Sequence, residues 1–301
     1  MRNAILALVV LSTIVGQASA VFIVDDDFES YQNQQEFEGA WTPVGTGEPF
    51  SGRLSIGGLA TSGEKSVENV GVDGVGHQQN QLTFTPTPLL GVGDQLIWSF
   101  DYYDKLPFAL PRNNFASLQT SASPGTSPAG QKISLGLGGN QSSTDSGGNF
   151  YMAGISGYAH AMVDPDGGED ESAGGTTSGA MFKLNDSATA GLRGDNDGWR
   201  NLKLVISTSD GTTVDHEYYV NGDLAETVSG VGPNLQYSVI QLGSGLSNNN
   251  VGVFFDNMQL EFVAGAAAIP EAGSFAAVGV VSLLAGGAAW LRKRRANRAM
   301  R

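Results

Sequence analysis

Residues 94–103 read DQLIWSFDYY, and the order of side chains in this stretch decides the fold. Leu96, Trp98, Phe100 and Tyr102 alternate with Ile97, Ser99 and Asp101. Successive side chains of an extended chain point to opposite faces. A period of two with one strongly apolar set therefore predicts a β-strand lying on a core. Working outward, WRNLKLVIST (199–208) repeats the pattern with Leu202, Leu204 and Ile206. Asp210-Gly211 and Asn221-Gly222 flank VDHEYYV (214–220), and both dipeptides favour tight hairpin turns because their residues tolerate positive φ. The segment from Trp199 to Val228 is thus expected to be a three-stranded meander.

VIQLG (239–243) and VGVFFDNMQLEFV (251–263) add two later strands, the last with Met258, Leu260 and Phe262 alternating with Gln259 and Glu261. RLSIGGLA (53–60), SVENV (66–70), QLTFT (81–85), QKISLGL (131–137) and NFYMAGI (149–155) are earlier candidates. No helical pattern separates them, and parallel strands need crossovers that are usually helical, so the sheets should be antiparallel. One helix is expected, in DDDFESYQNQQEFEGAW (25–41). There Asn33 and Glu36 have capping-box spacing, and Phe37 and Trp41 share a face. Two stretches read as long loops: Leu106 to Gly130, and Val163 to Gly179.

Both extremities are apolar. Ala4 to Val15 with Ala18-Ser19-Ala20 reads as a signal peptide over residues 1–20, Ala18 and Ala20 forming the small-x-small site for signal peptidase. Residues 275–291 carry no charge and are followed by Arg292, Lys293, Arg294 and Arg295, the pattern of a transmembrane helix with a basic cytoplasmic tail at 292–301. Between Val21 and Pro270 stand nine Lys and Arg against 29 Asp and Glu, a net of −20. Such a field repels phosphate backbones and argues against nucleic-acid partners. Cysteine is absent, so an exported body has neither disulfides nor thiolate metal sites and must be stabilised by ordinary burial.

Site chemistry is sparse. Calcium takes oxygen ligands, and the Asp-rich turns with Asp164 and Asp166, and with Asp195 and Asp197, are the candidate loops for it. The competing account is that Asp and Gly gather in turns for backbone reasons. His77, His160 and His216 have no zinc-binding spacing. Asp215-His216-Glu217 and Glu169-Asp170-Glu171 are the nearest approaches to paired catalytic carboxylates. Trp41, Tyr102, Tyr103, Tyr158 and Trp199 are the aromatics available to stack on sugar rings.

The opening DDFESY, the phrase LATSGEKSVEN, the strand LIWSFDYY, the pair WRNLKLVI…EYYVNGDLAETV and the closing VFFDNMQL together resemble a concanavalin A-like (laminin G-like) jelly roll. The resemblance implies an early acidic-aromatic strand paired with the last one. Glycosidases of this kind carry a Glu-x-Asp-x-x-Glu strand, which this chain lacks, so a non-catalytic body is expected. The tail resembles a PEP-CTERM sorting signal. Pro270 and Glu271 match the motif, Ala272 stands where a second proline is usual, and an apolar run and an arginine-rich end follow in order. That resemblance implies an exosortase-like membrane protease as partner, and exopolysaccharide as surroundings.

The chain is therefore expected to be an exported, all-β, antiparallel jelly-roll sandwich over 21–263, with a linker at 264–274 and a single C-terminal transmembrane helix. It would be anchored before processing and then displayed at the cell surface or secreted, without a certain cofactor, as a non-catalytic surface or matrix protein with glycan or calcium as candidate ligands. The alternative is a glycan-active hydrolase or lyase on the same fold.

Overall fold

In the computed structural model, residues 20–44, 52–69, 79–104, 113–121, 132–139, 149–156, 179–184, 198–243 and 253–265 are described. The strand that opened the sequence reading is β6 (Gln95–Asp104), and it lies in the middle of an eight-stranded antiparallel sheet. Its neighbours are β11 (Gly198–Ser207) and β15 (Val253–Val263). Beyond β11 lie β12 (Thr213–Val220) and β13 (Asp223–Pro233); beyond β15 lie β4 (Lys65–Asn69) and β3 (Arg53–Ile56). The first strand, β1 (Ala20–Asp26), pairs with the later half of β15, from Ala20 opposite Val263 to Asp26 opposite Met258.

The second sheet has seven strands, in the order β10 (Gly179–Lys183), β9 (Asn149–Ser156), β8 (Lys132–Gly139), β7 (Asn113–Gln119), β14 (Val239–Leu242), β5 (Asn80–Thr83) and β2 (Thr42–Pro43). Every pairing is antiparallel. The apolar faces of both sheets meet in one core. Leu96, Trp98, Phe100, Tyr102, Leu202, Leu204 and Ile206 come from the first sheet, and Ala116, Leu118, Ile133, Leu135, Ile240 and Leu242 from the second. Each large side chain buried this way contributes about 1.5–3 kcal/mol, so the alternation in the sequence sets the register that places them there. This is the layout expected of a jelly-roll sandwich.

Local chemistry explains the joints. Asn221 (φ 53°) and Gly222 (φ 88°) form the tight turn between β12 and β13, both in the left-handed region that a two-residue hairpin requires. At the other turn, the Asp210 carboxylate accepts from the backbone N–H groups of Thr212 and Thr213, both at 2.7 Å, and these bonds hold its pKa well below the usual carboxylate range. Helix α1 (Gln34–Ala40) starts where its capping pair predicts: Asn33 Oδ1 accepts from the Glu36 N–H at 3.1 Å. Phe37 and Trp41 are fully buried, and Trp41 Nε1 donates to Asp26 Oδ2 at 2.9 Å.

Two expectations need correction. The stretch Leu106 to Gly130 is not one loop, because Asn113–Gln119 forms β7 in the interior of the second sheet. In NNFASLQ the core-facing residues are only Ala116 and Leu118, while Ser117 and Gln119 on the other face are also buried, so the usual apolar signal is missing. The stretch Val163 to Gly179 ends in β10, which begins at Gly179. Among the described residues no helix is long and apolar enough to cross a membrane, and segment 275–291 lies outside them.

Candidate functional site

The second sheet carries its unusual chemistry on the face turned away from the core. Cross-strand register puts Gln81 of β5, Gln241 of β14, Ser117 of β7 and Ser134 of β8 in one row. The adjacent row holds Thr83, Val239, Gln119 and Lys132. Because Ile133, Ala116, Leu118, Ile240 and Leu242 face the core, strand alternation turns these residues outward.

An outward polar row is ordinary when solvated, but this one is sheltered. Ser117 and Gln119 have no exposed surface, Gln241 keeps 2 %, and Gln81 and Ser134 keep 8 %. Buried amides and hydroxyls cost free energy unless they are bonded. Gln119 Nε2 donates to Gln241 Oε1, and the Ser117 and Ser134 hydroxyls lie 3.2 Å apart in hydrogen-bond contact. Gln79, just before β5, is buried to 1 % and its Oε1 has no hydrogen-bond partner.

Lys132 gives the face its cation. It is half-buried, and burial pushes its ammonium down to about 8 from an ordinary 10.5, since desolvation disfavours the charged form. None of the described outward side chains in these two rows is Asp or Glu. A pair of carboxylates spaced for glycoside hydrolysis therefore has no place among the described residues of this face.

Carboxylates lie instead on the outward face of the first sheet, where Asp101 of β6 is directly opposite Asp256 of β15. Both are committed to structure. Asp101 accepts from Asn201 Nδ2 at 2.9 Å and from Asn257 Nδ2 at 2.7 Å. Asp256 accepts from the backbone N–H groups of Thr61, Ser62 and Asn257 at 2.6, 3.3 and 2.8 Å. Burial, and to a smaller degree the facing Asp101, raises the Asp256 pKa against the lowering pull of those donors. The pair clamps the segment before β4 onto a bulge in β15 and leaves little lone-pair capacity for a substrate.

The residues singled out from sequence separate accordingly. Asp215, His216 and Glu217 do not form a dyad or triad, because alternation sends His216 into the core and the two acids to the other side. The His216 Nδ1 and the Tyr218 hydroxyl share a hydrogen bond of 3.0 Å, while Nε2 is buried without a partner. Trp41 and Tyr102 are core, and Tyr103 is buried edge-on against Trp199 and Phe254, which leaves Trp199 half-exposed. Asp164, Asp166, Asp195, Asp197, Tyr158, Glu169, Asp170, Glu171, His77 and His160 lie outside the described residues, as do the sorting residues Pro270, Glu271 and Ala272. Among the described residues no cluster of three or more His, Asp or Glu could hold a metal ion.

No protein-family model matches the chain, and no curated protein matches it. Solved structures do. An endo-1,3-β-glucanase from Streptomyces sioyaensis is similar at 11 % identity and a TM-score of 0.45, over 81 % of this chain and 97 % of that one. An endo-β-1,4-glucuronan lyase from Trichoderma reesei is similar at 11 % identity and a TM-score of 0.43, over 74 % and 91 % of the two chains. An alginate lyase in complex with an alginate trisaccharide is similar at 11 % identity and a TM-score of 0.43, over 80 % and 97 %. At this identity the likeness is one of fold; the similar structures named are two polysaccharide lyases and a glucanase, where the sequence had led to the expectation of a non-catalytic body.

Sequence reasoning missed Gln119, Gln241, Ser117, Ser134 and Lys132. Each falls at the polar phase of a strand, where it reads as a solvated residue. The usable signal was VIQLG together with QKISLGL: two strands whose polar positions are amide, hydroxyl and amine, with no acid among them.

Proposed function

We propose that this protein is a glycan-active enzyme of the lyase type, acting on acidic polysaccharide at the outward face of the second sheet. The observation that carries the reading is the sheltered row of Gln81, Gln119, Gln241, Ser117 and Ser134 beside Lys132, with no outward carboxylate among the described side chains of the face. Hydrolysis of a glycoside requires an acid and a second carboxylate, and the described side chains of this face supply neither. β-Elimination requires different groups. Amide N–H donors neutralise the uronate carboxylate, a base removes the proton on the carbon next to it, and a proton reaches the departing oxygen.

On this reading Lys132, the half-buried cation of the described face, takes the C5 proton as the free amine, and the buried Gln119–Gln241 pair holds the strands beside it. The electron pair left at C5 forms the C4=C5 double bond as the C4–O bond breaks. The departing oxygen takes a proton from the Lys132 ammonium or from water, so atoms and charge balance. A lysine whose pKa lies near 8 holds a useful fraction of free amine close to neutrality.

The test is incubation of the protein with 4-linked polyuronates and, separately, with neutral β-glucans. Appearance of the ultraviolet absorbance of the conjugated double bond, with polyuronates alone, is the expected result. New reducing ends without that absorbance, or no new ends on any acidic polymer, would overturn the assignment.

A further inference from the structure

Among the described residues seven large apolar side chains are exposed; Ile56, Leu59 and Leu224 stand apart, and the other four lie together. Leu89 and Val92 keep 57 % and 69 % of their surface, and Val21 and Phe22 keep 55 % and 52 %. Hydrogen bonds place these four at one end of the sandwich. Gly265 N donates to Asp94 Oδ1 at 2.7 Å and Gly91 N donates to Asp94 Oδ2 at 2.7 Å, so the turn carrying Val92 sits on the end of the chain's last described strand. Ala20 and Val21 pair with Val263 and Phe262 at the same place. Asn234, at the end of β13, fixes Leu90 by accepting from its N–H and donating to its carbonyl.

This is also where the chain leaves the sandwich. Nine residues, 266–274, separate Gly265 from the uncharged stretch 275–291 and its basic flank Arg292 to Arg295. Nine extended residues reach at most about 30 Å, so the stretch 275–291 starts within that length of chain from Gly265. Exposed apolar groups gathered at one place mark an interaction surface. The segments that build the patch, 20–26, 84–94 and 261–265, contain Asp25, Asp26, Asp94 and Glu261 but no Lys or Arg, so attraction to it is apolar rather than cationic.

We infer that this end of the sandwich is a lipid-contacting surface. With 275–291 inserted in a bilayer, Leu89, Val92, Val21 and Phe22 rest in the interfacial layer. Burial of apolar side chains at the headgroup boundary drives the contact. This inference does not depend on lyase activity.

The experiment uses the full chain reconstituted in vesicles of neutral phosphatidylcholine, with Val92→Trp and Leu224→Trp compared. Leu224 is a suitable control because it is also exposed, at 52 %, but lies nine residues from Pro233 along β13, about 30 Å away. Vesicle binding should shift the added Val92→Trp emission to the blue and bromine-labelled acyl chains should quench it, leaving the Leu224→Trp emission unchanged. Equal behaviour of the two variants, failure of the chain to float with the vesicles, or the same shielding of Val92→Trp without lipid in a self-associated species would each overturn it.

Discussion

The Thr61 backbone N–H donates to Asp256 Oδ2 at 2.6 Å across 195 residues of sequence. This bond, with those from Ser62 and Asn257, ties the segment leading into β4 to the bulge of β15, where Asn257 adopts φ 47°. The bulge has a packing consequence. It shifts the phase of β15 so that Phe255 before it and Met258 and Leu260 after it all reach the core.

Asp256→Ala strands three backbone donors at once. A part-buried donor without its acceptor costs about 1–3 kcal/mol, and exposed Thr61 and Ser62 regain some of this from water, so a loss of about 2–3 kcal/mol is expected. Asp256→Asn keeps one acceptor oxygen and should lose less. Urea unfolding midpoints of both variants measure the difference. Equal losses would mean that the side chain serves only to fill space.

Burial of His216 makes the fold acid-sensitive. Desolvation lowers its pKa to about 3 in the folded protein, whereas the unfolded chain titrates near 6.5. Below pH 6.5 the unfolded state binds a proton that the folded state refuses. The stabilisation is complete above 6.5 and is lost progressively as pH falls towards 3, at up to about 1.4 kcal/mol per pH unit. His216→Phe should flatten the stability curve in that window while leaving its shape above pH 7 unchanged. A wild-type curve with the same slope as the variant would contradict this.

The hairpin between β12 and β13 depends on its glycine. Gly222 has φ 88°, with open space where a Cβ would project, so Gly222→Ala meets backbone strain rather than a clash. A destabilisation of about 1–2 kcal/mol is expected, the cost of a left-handed conformation for an L side chain. Thermal melting of the variant beside wild type reads it directly.

The core strands were legible in the sequence because there alternation and apolar burial coincide: Leu96 to Tyr102 and Leu202 to Ile206 announce one face by themselves. The hairpins were legible because Asn-Gly and Asp-Gly state a backbone conformation locally. β7 and the candidate site were not, and for one reason. At 115–119, 133–136 and 239–242 of the second sheet both faces are buried, so the outward residues escape the usual contrast between apolar core and solvated charge. Gln119, Gln241 and Ser117 acquire meaning only when register brings together strands more than a hundred residues apart, as in the Gln119–Gln241 contact. The carboxylates of DHE failed as a site through the same alternation that was read correctly elsewhere.

Removal of Ser274 to Arg301 tests the address carried by the tail. If that segment anchors and sorts the chain, its loss converts a cell-associated protein into one recovered from the culture medium. Fractionation followed by immunoblotting distinguishes the cases, and an unchanged distribution would contradict the sorting role expected of the tail. Intact mass of the mature full-length protein adds a second reading, since cleavage removes Trp290 and the terminal arginines.

The pH dependence of cleavage tests Lys132 itself. A free amine must take the C5 proton, so the rate should rise with pH and level off above an apparent pKa near 8 rather than near the ordinary lysine value of 10.5. Lys132→Ala should lower kcat by at least about 100-fold, the usual contribution of a positioned base. Lys132→Arg should fail equally, because a guanidinium keeps its proton throughout the accessible range. Gln119→Ala should act differently. It removes the buried partner of Gln241 beside Lys132, so its loss should be smaller than that of Lys132→Ala, and the rising limb should stay in place. A profile that keeps its limb near 8 in Lys132→Ala would assign the base to another residue.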